Sequence, residues 1–527
     1  MIRSMNVAWW VDRWAELAPE RPALIFEGET IRYAELKRRA DKTACWLQSL
    51  GVEKSDRVAV LLENCPEFLE LYLACAKLGA IFVPLNFRLT GTELGYLLSN
   101  SRPRLLVFGE RFAPTLVPLD LSRARPPLML ASPGDVSAVL QGVEPFSDRD
   151  AFEGRQPFLT ATLGPTDPEE PHVIMYTSGT TGHPKGAVLS HRKTFFNCLN
   201  ADIFFNLQSD DVMLIVLPLF HSGGLFIQSS PALYKGATIL LHPRFNAEDT
   251  YRDIEVFGVT KFQAVPTVFK ALLRVPPEKR RSLASLKVSA IGGEKTTPEV
   301  LAACREAGFA PRQIMGQTET SILLWASEQD LVERPGTVGK PVFHAEVKVV
   351  DSCGVPVSPG VVGEIVVQGS ILMKEYWDDP ERTQQTIRGG CLHTGDLARV
   401  DADGYFYLVD RAKDMYISGG ENVYPAEVER VLGEHPNIQR VAVLGVPDEV
   451  WGETGHALVI RKEGSELTAQ EVLAFCQGRL ARYKAPTRVT FCSAFPETAL
   501  GKVRKQELRK SLENDVPAGE GVAMSVA

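Results

Sequence analysis

The chain has little of what marks several large functional classes. Its nine cysteines, an odd number scattered from Cys45 to Cys492, form no C-x-x-C pair. That fits reduced thiols and speaks against a disulfide framework or a zinc finger. No apolar run reaches the roughly 20 residues needed to cross a bilayer, and Met1–Trp10 lacks the continuous apolar stretch of a signal peptide. A soluble, cytoplasmic protein is expected, with no transmembrane segment. The formal charge of −8 is mild for 527 residues and no long Lys/Arg run stands out, so no nucleic-acid partner is expected. Whether the chain pairs as a homodimer is left open by the sequence.

What is present is a long chain with an ordinary 45% hydrophobic content, more than one hydrophobic core normally supports, so a large body with a further domain is expected. Leu36, Ala40, Ala44 and Leu47 form one apolar stripe at helical spacing, ending at Gly51. The run Val58–Leu62 predicts a buried strand, Glu67–Leu78 a second helix stopped by Gly79, and Ile81–Val83 the next strand. This rhythm predicts parallel α/β construction. Residues 112–171, rich in Pro, Asp and Gly and weak in period, read as surface connection.

Between the apolar runs Val173–Met175 and Ala187–Leu189 lies Tyr176-Thr177-Ser178-Gly179-Thr180-Thr181-Gly182-His183-Pro184-Lys185-Gly186. Small residues let several backbone N–H groups converge, hydroxyls add donors, and Lys185 adds a compact positive charge, a combination suited to a polyphosphate. A flexible linker of this composition would not be pinned between two apolar runs. It is not the common P-loop, because G-x-x-x-x-G-K-[ST] needs Gly at 184 and Ser or Thr at 186, where Pro184 and Gly186 stand. The string resembles the phosphate-loop signature of the adenylate-forming superfamily, which includes acyl- and aryl-CoA synthetases, firefly-type luciferases and peptide-synthetase adenylation domains.

Further segments match that superfamily in chain order. His221-Ser222-Gly223-Gly224 resembles the segment bordering the acid's carboxylate, with Gly223 and Gly224 expected to leave room for an acyl chain. Gly292-Gly293-Glu294-Lys295 resembles the turn beside adenine, although Glu294 and Lys295 depart from the usual Ala-Pro. In Met315-Gly316-Gln317-Thr318-Glu319, Met315 replaces the usual adenine-stacking Tyr, Gly316, Gln317 and Thr318 are expected to line the nucleotide, and Glu319 is the expected Mg²⁺ ligand, a hard oxygen beside phosphates. Asp396, in Thr394-Gly395-Asp396, is expected to accept from both ribose hydroxyls, as its two oxygens suit a cis-diol.

The string from Asp410 to Glu429 is similar to the hinge and early C-terminal domain of bacterial fatty acyl-CoA ligases. By that resemblance Arg411 contacts ribose and phosphate, Lys413 is the hinge, and Gly419 and Gly420 lie by the pantetheine passage. Trp451 and Tyr483 stand where relatives flank coenzyme A, and Pro496–Lys502 resembles the terminal loop carrying the catalytic lysine, Lys502, with Leu500 where Thr or Ser is common.

The resemblance implies an α/β fold: a large N-terminal body (1–410) of two α/β subdomains and a small β-barrel, a hinge at 411–413, a smaller mobile α+β C-terminal domain (414–510), and a disordered tail (511–527). It implies an ATP-dependent, Mg²⁺-requiring ligase that activates a carboxylic acid as acyl-AMP and passes it to coenzyme A, with Lys502, Lys185 and His221 as catalytic residues. A medium- or long-chain fatty acid is the first expectation. The alternatives are an aryl or cinnamate-type acid, or a ligase that loads a carrier protein; a luciferase-like oxygenase or a nucleotide sensor derived from the fold are further readings.

Overall fold

The computed structural model describes residues 3–117, 128–130, 143–145, 166–177, 184–293, 296–411, 414–418, 421–423, 425–448, 451–477, 479–480, 482–497 and 503–514. Contacts gather the chain into two units, 1–347 with 367–392 and 348–366 with 393–527. The first unit is built on two sheets. An eight-stranded sheet runs in the order Glu375–Tyr376, Lys185–Ser190, Pro171–Thr177, Ile81–Pro84, Arg57–Leu61, Leu105–Phe108, Leu128–Leu130 and Val143–Pro145. Its strands from Pro171–Thr177 onward pair in parallel, as the strand–helix–strand rhythm predicts. Helices Tyr33–Ser49 and Pro66–Leu78 follow the apolar stripes; the first buries Leu36, Ala40, Ala44 and Leu47, and the second ends at Gly79 in the left-handed region.

The stretch 112–171 is not all surface connection: Leu128–Leu130 and Val143–Pro145 extend the sheet at one edge. Each is only three residues long, too short for period to register in the sequence.

The second sheet has nine strands. Pro311–Gln317, Val288–Gly292, Lys261–Ala264, Val212–Ile215, Thr238–Leu241 and Pro22–Phe26 run parallel, and antiparallel strands close both edges. One face packs Leu214, Phe262, Phe269, Ile291 and Phe309 into a buried cluster. Parallel strands buried on both faces explain the near-continuous apolar runs read in the sequence.

Strands Glu346–Val350, Gly363–Gln368, Cys391–Val400 and Phe406–Arg411, which fall largely in the second unit, belong to a small five-stranded sheet. A further sheet pairs Ile438–Asp448 with Gly452–Arg461 and packs on helices Pro425–Gly433 and Ala469–Cys476 through Val428, Leu432, Val443, Val459 and Val472. The final helix, Lys505–Asn514, runs into the stretch expected to be disordered. Among the described residues no helix is long and apolar enough to cross a membrane.

Candidate active site

Three side chains meet where the two sheets of the first unit adjoin. Lys185 opens the strand Lys185–Ser190 and faces Thr177 across the ladder, so this pair closes the neck of the phosphate-loop string. Tyr376 lies on the two-residue edge strand that pairs antiparallel with Val188 and Ala187 of that same strand. Glu319 comes from the other sheet, in the turn between Pro311–Gln317 and Ser321–Ala326, and its carbonyl accepts from the Met373 backbone N–H at 2.7 Å. The Tyr376 hydroxyl donates to Glu319 Oε1 at 2.7 Å and accepts from Lys185 Nζ, which lies 3.1 Å from the same carboxylate oxygen and 4.1 Å from the centre of the Tyr376 ring.

Glu319 is 3% exposed and Tyr376 2%. Burial alone would raise the Glu319 carboxyl; the Lys185 ammonium, then the Tyr376 hydroxyl and the residue's own backbone N–H, outweigh it and hold the group below the ordinary carboxylate value. Burial, with the Glu319 charge beside it, pushes the Tyr376 phenol up. The site therefore presents an ionised carboxylate, a protonated phenol and a lysine. Among the described residues no group of three or more His, Cys, Asp or Glu side chains stands together as a metal cage. A lone buried carboxylate fits Mg²⁺, which takes one or two protein oxygens plus phosphate oxygens and water.

The turn holding Glu319 is tight. At Gly316 a Cβ would stand 1.7 Å from the Ser321 carbonyl oxygen, so only glycine permits this closure. Thr320 N–H donates back to the Gln317 carbonyl at 3.1 Å. Ser321 takes a φ of 60°, left-handed backbone that favours glycine. Its hydroxyl accepts from the ammonium of Lys193, a residue of the helix His191–Phe205 that is wholly buried. Burial pulls the Lys193 ammonium down to about 7, against the raising effect of the Glu319 charge.

His221 follows the strand Val212–Ile215 and a turn through Pro218. Burial, with the Arg88 charge as a lesser cause, lowers its imidazole to about 4, so the ring is neutral at physiological pH. Its Nε2 and the Ser222 hydroxyl are buried without a hydrogen-bond partner among the described residues. Two buried glutamines flank the same turn. Gln228 Nε2 donates to the Gly223 carbonyl at 3.1 Å, the Gln263 amide nitrogen lies 4.0 Å from where a Gly223 Cβ would stand, and both carbonyl oxygens lack partners. At Gly224 the place of the missing side chain is filled by the Pro218 carbonyl, 2.5 Å from where a Cβ would stand. At Gly223 the neighbour is the flexible tip of Leu217 at 3.1 Å.

In the second unit, Asp396 and Arg411 occupy partner positions on adjacent antiparallel strands, so the two residues expected at the ribose share one rung of the ladder. The Asp396 backbone N–H donates to Thr394 Oγ1 at 3.1 Å and that hydroxyl donates to the Ile365 carbonyl at 2.8 Å. Glu364 binds the Gly395 N–H at 2.9 Å and pairs with His393 at 2.8 Å, which secures the turn from below. Trp451 N–H donates to Asp448 at 3.0 Å, and Tyr483 packs half-buried against the core of this unit. Ser178, Gly179, Thr180, Thr181, Gly182, Glu294, Lys295, Lys413, Gly419, Gly420 and Lys502 lie outside the described residues.

Sequence reasoning did not assign Tyr376 or Lys193. Tyr376 sits in Lys374-Glu375-Tyr376-Trp377, whose value depends on edge pairing, and a lysine on a helix is ordinarily read as a solvated charge.

The AMP-binding enzyme family model matches residues 11–377, and the AMP-binding enzyme C-terminal domain model matches 427–502. The chain is 38% identical to a feruloyl-CoA synthase of an Amycolatopsis species, covering 97% of this chain and 99% of that one, and 38% identical to an indoleacetate–CoA ligase of Aromatoleum aromaticum, covering 96% and 98%. A long-chain-fatty-acid–CoA ligase of Mycobacterium tuberculosis is 34% identical over 97% and 99%. Among solved structures, the o-succinylbenzoate CoA synthetase of Bacillus subtilis superposes with a TM-score of 0.84 in complex with its acyl-adenylate, at 31% identity over 97% and 99% of the chains. The same enzyme with ATP and a magnesium ion gives 0.82 at 31% identity over 95% and 99%.

Proposed function

This chain belongs to the AMP-binding enzyme family, and we propose that it is an AMP-forming acid–coenzyme A ligase whose acid is aromatic. The observation that carries the ligase reading is the Lys185–Tyr376–Glu319 cluster at the neck of the phosphate loop. A carboxylic acid and a thiol do not condense usefully in water, because hydroxide is a poor leaving group. ATP supplies a better one: the substrate carboxylate attacks the α-phosphorus, the bond to pyrophosphate breaks, and the acyl-AMP so formed is attacked by the coenzyme A thiolate, releasing AMP.

Each residue has a task in this scheme. Lys185 turns from the carboxylate to the phosphoryl oxygens, and Glu319 would hold Mg²⁺, which supplies charge neutralisation on the polyphosphate. Tyr376 keeps one Glu319 oxygen fixed. His221, neutral and with Nε2 unpaired, borders the acid's carboxylate as a hydrogen-bond partner without adding charge. Asp396 accepts from the ribose hydroxyls with Arg411 beside it, and Lys502 supplies a cation to the developing bond. Gly419, Gly420, Trp451 and Tyr483 are the residues assigned to coenzyme A, with glycine at 419 and 420 suited to a narrow pantetheine path. Movement about Lys413 between the half-reactions would exchange Lys502 for that passage and limit water at the reactive anhydride.

An aromatic acid is favoured over the fatty acid first expected by two observations. Relatives named for ferulate and indoleacetate are 38% identical, against 34% for the fatty-acid ligase. The turn at His221–Gly224 is also surrounded by buried polar atoms without partners, on Ser222, Gln228 and Gln263, which suit a ring bearing hydroxyl or N–H groups better than an unbranched chain. Fatty acids are the second reading, carried by the 34% relative.

The test is pyrophosphate release from ATP with a panel of hydroxycinnamic, indole and benzoic acids and straight-chain acids, with and without coenzyme A. Preference for a straight chain of eight carbons or more would reject the aromatic reading. Release that never yields a thioester would reject coenzyme A as acceptor.

A further inference from the structure

A buried lysine that no step above uses lies behind the Glu319 turn. Lys193 is 0% exposed, and among the described residues its ammonium makes no ion pair. An ammonium has three donors, and its one described acceptor is the hydroxyl of Ser321. An amine this deep is costly to charge unless its donors are met by partners. Three elements fix it. Its backbone N–H caps on Ser190 at 3.2 Å, its Nζ lies 5.5 Å from the Phe226 ring on the irregular helix Gly223–Ser229, and its tip reaches the hairpin that carries Glu319.

The partner is equally telling. Ser321 sits at a φ of 60°, where glycine would be at ease and a serine is strained. Two residues after Glu319, it is the last corner of a turn so closed that Gly316 has no room for a Cβ against the Ser321 carbonyl. A serine tolerated there has a hydroxyl that glycine lacks, and that hydroxyl receives Lys193. The carboxylate of Glu319 thus has Lys185 and Tyr376 on one side and, behind its own turn, a buried amine bound to the Ser321 hydroxyl.

We propose that Lys193 is a positioning residue for adenylate formation, holding the Glu319 turn in register by binding the Ser321 hydroxyl. The inference rests on the reading of Glu319 as the residue that meets Mg²⁺ and ATP. Lys193 and Ser321 act as one unit, so removing either should have the same effect as removing both.

The test compares Lys193→Met, Ser321→Ala and the double variant. Binding of a non-hydrolysable ATP analogue is measured by calorimetry across a Mg²⁺ series, pyrophosphate release with ATP and acid is followed in parallel, and thioester formation is measured from supplied acyl-AMP. Each single variant should need about tenfold more Mg²⁺ for half-maximal analogue binding, the ordinary effect of one lost hydrogen bond to a charged group. Pyrophosphate release should fall by a similar factor while thioester formation stays within about twofold, and the double variant should be no worse than the weaker single. If Lys193→Met does not fold, Ser321→Ala carries the same expectation with only an oxygen removed. Wild-type Mg²⁺ dependence in Ser321→Ala overturns the proposal. Equal losses in both half-reactions overturn it too, by making Lys193 a general support of the fold, and so do multiplying losses in the double variant. Analogue binding needs no acid, so a wild-type protein that binds analogue but releases no pyrophosphate with any acid rejects the ligase reading and leaves this inference to its own result.

Discussion

Replacing Tyr376 by Phe tests the cluster with the smallest possible change. The ring is 2% exposed and stays in place, and its face still lies 4.1 Å from Lys185 Nζ, so the cation–ring contact survives. What goes is one hydroxyl, which donates to Glu319 Oε1 at 2.7 Å and accepts from Lys185. A hydrogen bond to a charged group contributes about 1.5–3 kcal/mol, and each 1.4 kcal/mol is about tenfold in an equilibrium constant. Glu319 keeps the Lys185 contact at 3.1 Å only until ATP draws that lysine away, and it has lost the group that fixes its rotation. Loss of such an orienting partner typically weakens a metal site about 10- to 100-fold. Tyr376→Phe should therefore lower kcat/KM for ATP in pyrophosphate release by about 10- to 100-fold, partly recoverable by raising Mg²⁺, with the thioester half-reaction from supplied acyl-AMP little changed. A variant within about twofold of wild type at limiting Mg²⁺ would refute the assignment of Tyr376 as the group that orients Glu319.

The two half-reactions separate other residues. Lys502→Ala should slow acyl-AMP formation by about 10²–10³ and convert supplied acyl-AMP at nearly the wild-type rate, whereas Gly420→Leu should do the reverse; equal losses in both assays would sink the two-conformation scheme. Asp396→Asn keeps shape but weakens acceptance from the ribose hydroxyls, so the KM for ATP should rise about tenfold; an unchanged KM removes the ribose assignment. Stability should fall in mild acid. Burial lowers the His191 and His221 imidazoles to about 4 from an ordinary 6.5, so the unfolded chain binds protons that the folded one refuses. Their neutral forms contribute fully above about pH 6.5, and that contribution, at most about 3 kcal/mol each, is lost as pH falls towards 4. Thermal melting between pH 8 and 4 measures it, and His191→Gln should flatten the profile; an unchanged acid slope in that variant would show that His191 does not carry it.

How much of this was legible in the chain differs from residue to residue. Lys185, Glu319, Asp396 and Arg411 were put forward from short strings, because the phosphate, metal and ribose contacts proposed for them need only a few residues at fixed local spacing beside turn-forming glycines. The strands flanking the phosphate loop, the helix Tyr33–Ser49 and the parallel pairing of Arg57–Leu61 with Ile81–Pro84 follow from local period and length. Tyr376 could not be read this way, since it reaches Lys185 across 191 residues of sequence through a two-residue edge strand. The part of Gly224 is just as hidden, because small size looks the same in sequence whether it makes room for a ligand or for the Pro218 carbonyl. Lys193 is the clearest case. By composition it is one charge on a helix, and only the packing of that helix against the Ser321 corner and Phe226 makes it a buried amine. The sequence by itself determined the family of chemistry, because its signature is encoded in local strings, and from the same strings it put forward the groups proposed to touch nucleotide. The tertiary structure alone decided which side chains lie against those groups, because burial and cross-sheet contact are properties of distant segments brought together and leave no local period to read.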